Sequence, residues 1–293
     1  MDRWKVHGNV SRGLEPDKIP AIAYSNSVFR QANSRQMIIL IAESKTMTDC
    51  SSIVARQSYM NHTPLFEREA DRIMEYLNGF DTGELAERIG ISATLAQSMK
   101  KKIFEFPNKT TGEVSLKAFT GVVFKSLSPS SLSPDALEAA RKNLRIISSL
   151  YGWLRPDDII KPYRLEFKGK TAPCGKSLQA FWRKNVTEAL CNCLTQSGCH
   201  EILNLMPADA SKCIDWKSLP KGTDAWKIDF VVLKEGKEKT PDAGKLKRLR
   251  GTILRQILTE GITDIYGITQ IDCDMYVYDK IDCKNHSIRF ISA

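Results

Sequence analysis

Residues 37–42 read Met-Ile-Ile-Leu-Ile-Ala, six apolar side chains with no polar interruption. A strand with one face in water alternates polar and apolar residues. A short continuous run, rich in isoleucine, suits a strand buried on both faces. Such a strand needs cover above and below, which directs the chain towards a layered α/β arrangement. The sequence supplies the layers. Thr63 and Pro64 predict a helix start, with Phe66, Ala70, Ile73, Met74 and Leu77 as its apolar stripe. A helical pair is expected over 82–106. Ser133 and Pro134 open a further helix, lined by Leu137, Ala140, Leu144, Ile147 and Tyr151 and stopped by Gly152. Residues 176–194 and 244–261 read as helices, and 201–206, 226–233, 275–279 and 287–291 as strands. Helices and strands intermix without a repeat or a linker. The expectation is one mixed α/β domain over 37–293, a central mixed sheet surrounded by helices. An irregular extension precedes it over 1–36, a flexible basic arm or, the favoured reading, an upstream start that the fold does not use.

No apolar run approaches the length of a membrane span, and no basic segment followed by an apolar one opens the chain. Eight cysteines in 293 residues without a leader read as reduced thiols, which places the protein in the cytoplasm. A formal charge of +9 favours polyanionic partners, although a solvated basic surface is the commoner meaning of such an excess.

Three stretches could carry that charge to a partner. In "SSLYGWLRPDDIIKPYR" (148–164), Gly152 stops one helix and Pro156 starts a short second one, with Arg155 and Arg164 beside the restart. Free N–H groups and a helix dipole make an anion site there, in the manner of a helix–hairpin–helix gripping a DNA phosphate. A structural turn, its arginines paired with Asp157, Asp158 or Glu166, fits equally well. In 84–99 a helix-turn-helix pattern is outweighed by an ordinary helical hairpin, because Ala93, Thr94, Ala96 and Ser98 are poor base readers. In 245–255, Lys247, Arg250 and Arg255 line one side of an amphipathic helix. Cys191, Cys193, Cys199 and His200 match no standard zinc spacing, so no metal and no cofactor is expected. Phosphate-loop, dinucleotide, zincin and serine-hydrolase signatures are absent.

Taken together, several stretches resemble the YaaA peroxide-stress-resistance family. They are "MIILIAESKTM", "AFTGVVFKSL", "ARKNLRIISSLYGWLRPDDIIKPYRLEF", "GKSLQAFW", "ILNLMPADASK" and "KRLRGTILR", spread over residues 37 to about 290. The resemblance implies one compact α/β domain with a helix–hairpin–helix-like element. It also implies binding of duplex DNA without sequence preference and protection against peroxide and unincorporated iron. Carried over by position, Arg155, Arg164, Lys176, Trp182, Lys247, Arg250 and Arg255 become DNA contacts, and Gly152 shapes the hairpin. Lys45, Asp158 and Glu166 are the candidates for an unassigned chemistry. The alternative is an enzyme acting on DNA or a nucleotide, with Lys45, Asp158, Arg164 and Glu166 converging in one pocket. The chain departs from the family pattern at Met206, Pro207, Asp209 and Ala210, where the family has Ala-Ser and then a Glu-Tyr pair, and at 274–279.

Overall fold

The apolar run is the inner strand of a parallel core. The computed structural model describes residues 36–49, 63–108 and 111–292, so the expectations for 1–35 lie outside the described residues. In chain order come β1 (Met37–Ala42), α1 (Glu67–Asn78), α2 (Thr82–Ile89), α3 (Ala93–Glu105) and β2 (Glu113–Val114). Next are α4 (Ser115–Ala118), α5 (Val122–Leu127), α6 (Pro134–Asn143), β3 (Leu144–Ser148), β4 (Gly152–Leu154) and β5 (Ile159–Ile160). Then follow α7 (Leu178–Ser197), β6 (Glu201–Asn204), α8 (Ala208–Ser211), β7 (Asp224–Lys234) and β8 (Lys237–Lys239). Last are α9 (Ala243–Glu260), β9 (Val277–Asp282) and β10 (Ser287–Ser292).

The main sheet has the order β4-β3-β1-β6-β7-β10-β9, with β8 alongside β7. β3, β1, β6, β7 and β10 run parallel, while β4, β8 and β9 are antiparallel additions. All six residues of β1 are buried, as a strand covered on both faces requires. From β1 the chain returns to the sheet at β3 on one side, whereas from β6 it proceeds to β7 on the other. The carboxyl ends of β1 and β6 therefore form a topological switch point, where open α/β sheets take their ligands.

Local signals fix most helices. Asp81 and Glu84 close a capping box on α2, and Gly90 ends it in the left-handed conformation. Ser92, Ser133, Ser177 and Asp242 cap α3, α6, α7 and α9 with side-chain oxygens. Thus α2 and α3 form the ordinary helical hairpin. The first helix starts later than expected: Phe66 precedes α1 without a side-chain cap, and Glu67 N–H bonds the Pro64 carbonyl in a turn.

The larger correction concerns residues 144–164. The helix expected to reach Tyr151 stops at Asn143, and Leu144–Ser148 is instead β3, paired with β1 from Ile39↔Leu144 to Ala42↔Ile147. Ser148 then pairs with Gly152 across a three-residue loop, and β4 runs back along β3. Pro156 starts no helix. The expected helix–hairpin–helix is a β-hairpin, because Ile146 and Ile147 gain burial on both faces only by joining the sheet. Gly152 is not a helix stop but the residue, at φ +66°, that lets the hairpin close against Trp182.

Candidate functional site

Where β1 ends, Glu43 N–H still bonds the Ile147 carbonyl of β3, so the side chain of Glu43 emerges at the switch point. Its Oε2 accepts Ser149 N–H at 2.8 Å and the hydroxyl of Tyr163. The Tyr163 oxygen lies 2.7 Å from the Ser148 hydroxyl, which also accepts Tyr151 N–H at 2.8 Å. The turn of the β-hairpin thus supplies a backbone donor and a hydroxyl to one carboxyl group. Tyr163 belongs to a strap over 161–167 that lies along the exit of β1. Its own N–H meets Met47 Sδ at 3.4 Å, Arg164 NH1 donates to the Lys45 carbonyl at 3.0 Å, and Glu166 Oε1 pairs with Lys45 Nζ at 2.6 Å.

Burial dominates the electrostatics. It pushes the Glu43 carboxyl from its ordinary 4.5 up to about 7, against the opposing pull of its hydrogen bonds from Ser149 and Tyr163. Burial, reinforced by the Glu43 charge, drives the Tyr163 hydroxyl well above 10. Burial also raises the Cys213 thiol, which feels both Glu43 and Asp209 and so places the β6–β7 connection beside them. A carboxyl at about 7, held by a neutral phenol, can give or take a proton at neutral pH.

The residues chosen from sequence are dispersed. Lys45, Arg164 and Glu166 meet as described. Asp158 does not join them: it is buried and accepts Arg155 N–H at 2.7 Å, and desolvation raises its pKa to about 7. The four-residue pocket is therefore not formed. Arg155, Lys176 and Lys247 are exposed, and Arg250 is half-buried, its pKa lowered by burial. Arg255 NH1 donates to the carbonyls of Leu127 (2.8 Å) and Ser128 (3.3 Å), closing the end of α5. Trp182 is fully buried and donates Nε1–H to the Ser149 carbonyl at 2.8 Å, so its ring packs the hairpin and has no surface for a base to stack on. Cys199 is buried while His200 is exposed, and among the described residues no three metal-binding side chains group together.

Beside Lys45 and Glu166 opens a cleft of about 750 Å³, with Lys45, Arg88, Lys168 and Lys170 facing Glu84, Glu87 and Glu166. Sequence reasoning missed Glu43, Tyr163, Ser148 and Ser149. The signal for Glu43 was its place, the first polar residue after a strand buried on both faces.

Residues 37–282 match the family model described as "Peroxide stress protein YaaA". The chain belongs to the YaaA peroxide-stress family. A UPF0246 protein of Parabacteroides distasonis is 32% identical over 246 residues, 83% of this chain and 95% of its own length. One from Bacteroides thetaiotaomicron is 31% identical over 259 residues, covering 88% and 99%. Another, from Alteromonas mediterranea, is 31% identical over 250 residues, covering 83% and 93%. The YaaA match begins at the first residue of β1 and includes both the Glu43 cluster and the charged cleft.

Proposed function

We propose that this YaaA-family protein binds duplex DNA through its phosphates, without reading sequence, in the cytoplasm of cells under peroxide stress. There it shields DNA and limits the damage done by unincorporated iron. The stress role follows from the family description. The DNA reading is carried by the exposed cations Arg155, Lys168, Lys170, Lys176 and Lys247, none of which has a carboxylate in ion-pair contact among the described residues. Unpaired surface cations are the groups that displace counterions from a duplex. No helix among the described residues is long and apolar enough to cross a membrane.

Fluorescence anisotropy of a labelled duplex over a salt series tests this. Three to six phosphate contacts give a log–log slope of magnitude roughly 3 to 5, about 0.9 per contact. Replacing Lys168 and Lys170 by Ala lowers that magnitude by about 2 and affects all sequences alike. Absence of binding at low salt refutes the reading.

A further inference from the structure

The cations of the duplex reading sit on turns, loops and a helix, and the sheet adds a further set. β7 outruns its neighbours. Its pairing with β6 ends at Lys227 and its pairing with β10 at Val232, so among the described residues Leu233 and Lys234 pair with β8 alone. Glu235 and Gly236, at φ +55° and +71°, join β7 to β8 in a two-residue loop, a tight turn that needs both residues in the left-handed region. The result is a two-stranded ribbon, exposed from Leu233 through Lys239.

Register decides what the ribbon presents. Val232 pairs with Lys239, Leu233 with Glu238, and Lys234 with Lys237. Cross-strand partners share a face, and faces alternate along each strand. Lys234, Lys237 and Lys239 therefore stand on one face, with Leu233 and Glu238 on the other. Both oxygens of Glu238 accept from the Arg289 guanidinium, at 3.2 and 2.5 Å, which ties that carboxylate to β10. None of the three lysines has a carboxylate in ion-pair contact among the described residues. Lys234 and Lys237 moreover oppose each other directly. Like charges in opposed positions cost stability, and an anion lying across both turns that cost into attraction.

We infer that this ribbon is a further contact for duplex DNA, its lysine face laid against one row of phosphates. The inference rests on the duplex reading and places part of the contact on residues outside the cations named there. Lys237 and Lys239 are about 6.6–6.8 Å apart along their strand, and Lys234 stands about 5 Å from Lys237 between Cβ atoms. The three ammonium groups thus form a compact cluster facing one way. The reverse face carries no lysine or arginine, so the ribbon lies along one backbone and does not wedge between two. An anionic membrane fits worse, because the tip offers Glu235 and Gly236 where an apolar anchor is needed.

Anisotropy of a labelled duplex over a salt series, with the full chain, tests the contact. Replacing Lys234, Lys237 and Lys239 together by Gln should lower the magnitude of the log–log slope by about 2 to 3, roughly 0.9 for each lysine engaged. Replacing the same three by Arg should keep the wild-type slope, since the charges remain. The Gln variant should melt no lower than the wild type, because all three positions are exposed and the opposed like charges are gone. Lysine acetylation followed by mass spectrometry reads contact directly: added duplex should slow modification of Lys234, Lys237 and Lys239 severalfold. If the Gln variant does not fold, protection in the wild type decides. A full slope in the Gln variant, where Lys168→Ala with Lys170→Ala lowers it, overturns the inference and leaves the duplex reading standing. Absence of wild-type binding at low salt removes both. Protection by polyglutamate but not by duplex assigns the ribbon to an acidic polypeptide and overturns the inference as well.

Discussion

Replacing Gly152 by Ala tests whether the β-hairpin is held by packing against Trp182. The residue has φ +66°, where a side chain costs about 1–2 kcal/mol. An added Cβ would lie 2.6 Å from Cε3, 2.8 Å from Cζ3 and 2.9 Å from Cδ2 of Trp182. That ring cannot move aside freely. It is fully buried, bonded through Nε1 to the Ser149 carbonyl, and packed against Phe66 and Phe181 at 5.5 and 4.8 Å between centroids. Overpacking of this kind costs about 1–3 kcal/mol, so the whole effect is about 2–5 kcal/mol. Gly198 provides the control: its φ is +67°, and nothing lies within 4 Å of its virtual Cβ. Gly198→Ala bears the backbone cost alone, and both variants share the same loss of unfolded-chain entropy. In urea unfolding followed by circular dichroism, Gly152→Ala should exceed Gly198→Ala by about 1–3 kcal/mol. Combining it with Trp182→Leu should recover part of that excess, a coupling that a double-mutant cycle isolates. Equal costs for the two alanines would refute the packing account.

Further outcomes follow from buried polar groups. Because the Glu43 carboxyl binds its proton more tightly folded than unfolded, its contribution is complete below pH 4.5 and is lost as pH rises through about 7. For a partly open group this amounts to about 1–3 kcal/mol. Glu43→Gln should flatten the unfolding midpoint over that window, and an unchanged pH profile would contradict the assignment. Lys161, buried, donates Nζ to the carbonyls of Glu105 (3.1 Å), Phe106 (2.6 Å) and Asn108 at the end of α3. Lys161→Met should cost about 2–4 kcal/mol and speed amide exchange in α3, and unchanged exchange would refute that anchoring. Asp158→Ala leaves Arg155 N–H without its acceptor and should cost about 1–3 kcal/mol. It should not change the salt slope of duplex binding, since the Arg155 guanidinium and not the backbone of the turn is the proposed contact, and a changed slope would mean that the backbone of the turn meets phosphate as well.

What the sequence made legible was local. The caps Ser133, Ser177 and Asp242 lie within three residues of the N–H groups they bind, and β1 announces itself in six consecutive letters. What it hid was decided at a distance. The spacing of Leu144, Ile147 and Tyr151 fits a helix as well as a strand, and only the availability of β1 as a partner settles it. Trp182 reads as a DNA contact only through its matching position in the family pattern. Its burial depends on Gly152, thirty residues earlier in the chain. Glu43 looked like any solvated carboxylate. The groups that perturb it stand 106 and 120 residues away, at Ser149 and Tyr163.

The hairpin also changes how the molecule can hold a phosphate. In a helix–hairpin–helix, unpaired backbone N–H groups at the restart face the ligand. Here those groups are taken: Arg155 N–H by the Asp158 carboxylate, and Asp158 N–H by the Arg155 carbonyl at 3.2 Å. The turn even receives donors from outside, since Ser115 N–H and Leu116 N–H bond the carbonyls of Asp158 and Pro156. A backbone so occupied has little left for an anion, so the duplex binding proposed above must rest on side chains, and alanine substitutions at the exposed cations should abolish it. The hairpin N–H that bonds the Glu43 carboxyl is that of Ser149. Gly152, Tyr151 and Tyr163 are packed into so short a stretch because together they enclose the Glu43 carboxyl: Gly152 lets the hairpin close, Ser148 links its turn to Tyr163, and Tyr151 OH fixes the strap by accepting Lys161 N–H at 3.1 Å. On this reasoning the segment offers the proposed duplex contact only the Arg155 side chain, while its backbone and its tyrosines serve the Glu43 cluster. Tyr163→Phe should therefore leave duplex affinity intact while Lys168→Ala with Lys170→Ala weakens it, and a loss of affinity in Tyr163→Phe would mean that the Glu43 cluster supports the DNA-binding surface after all.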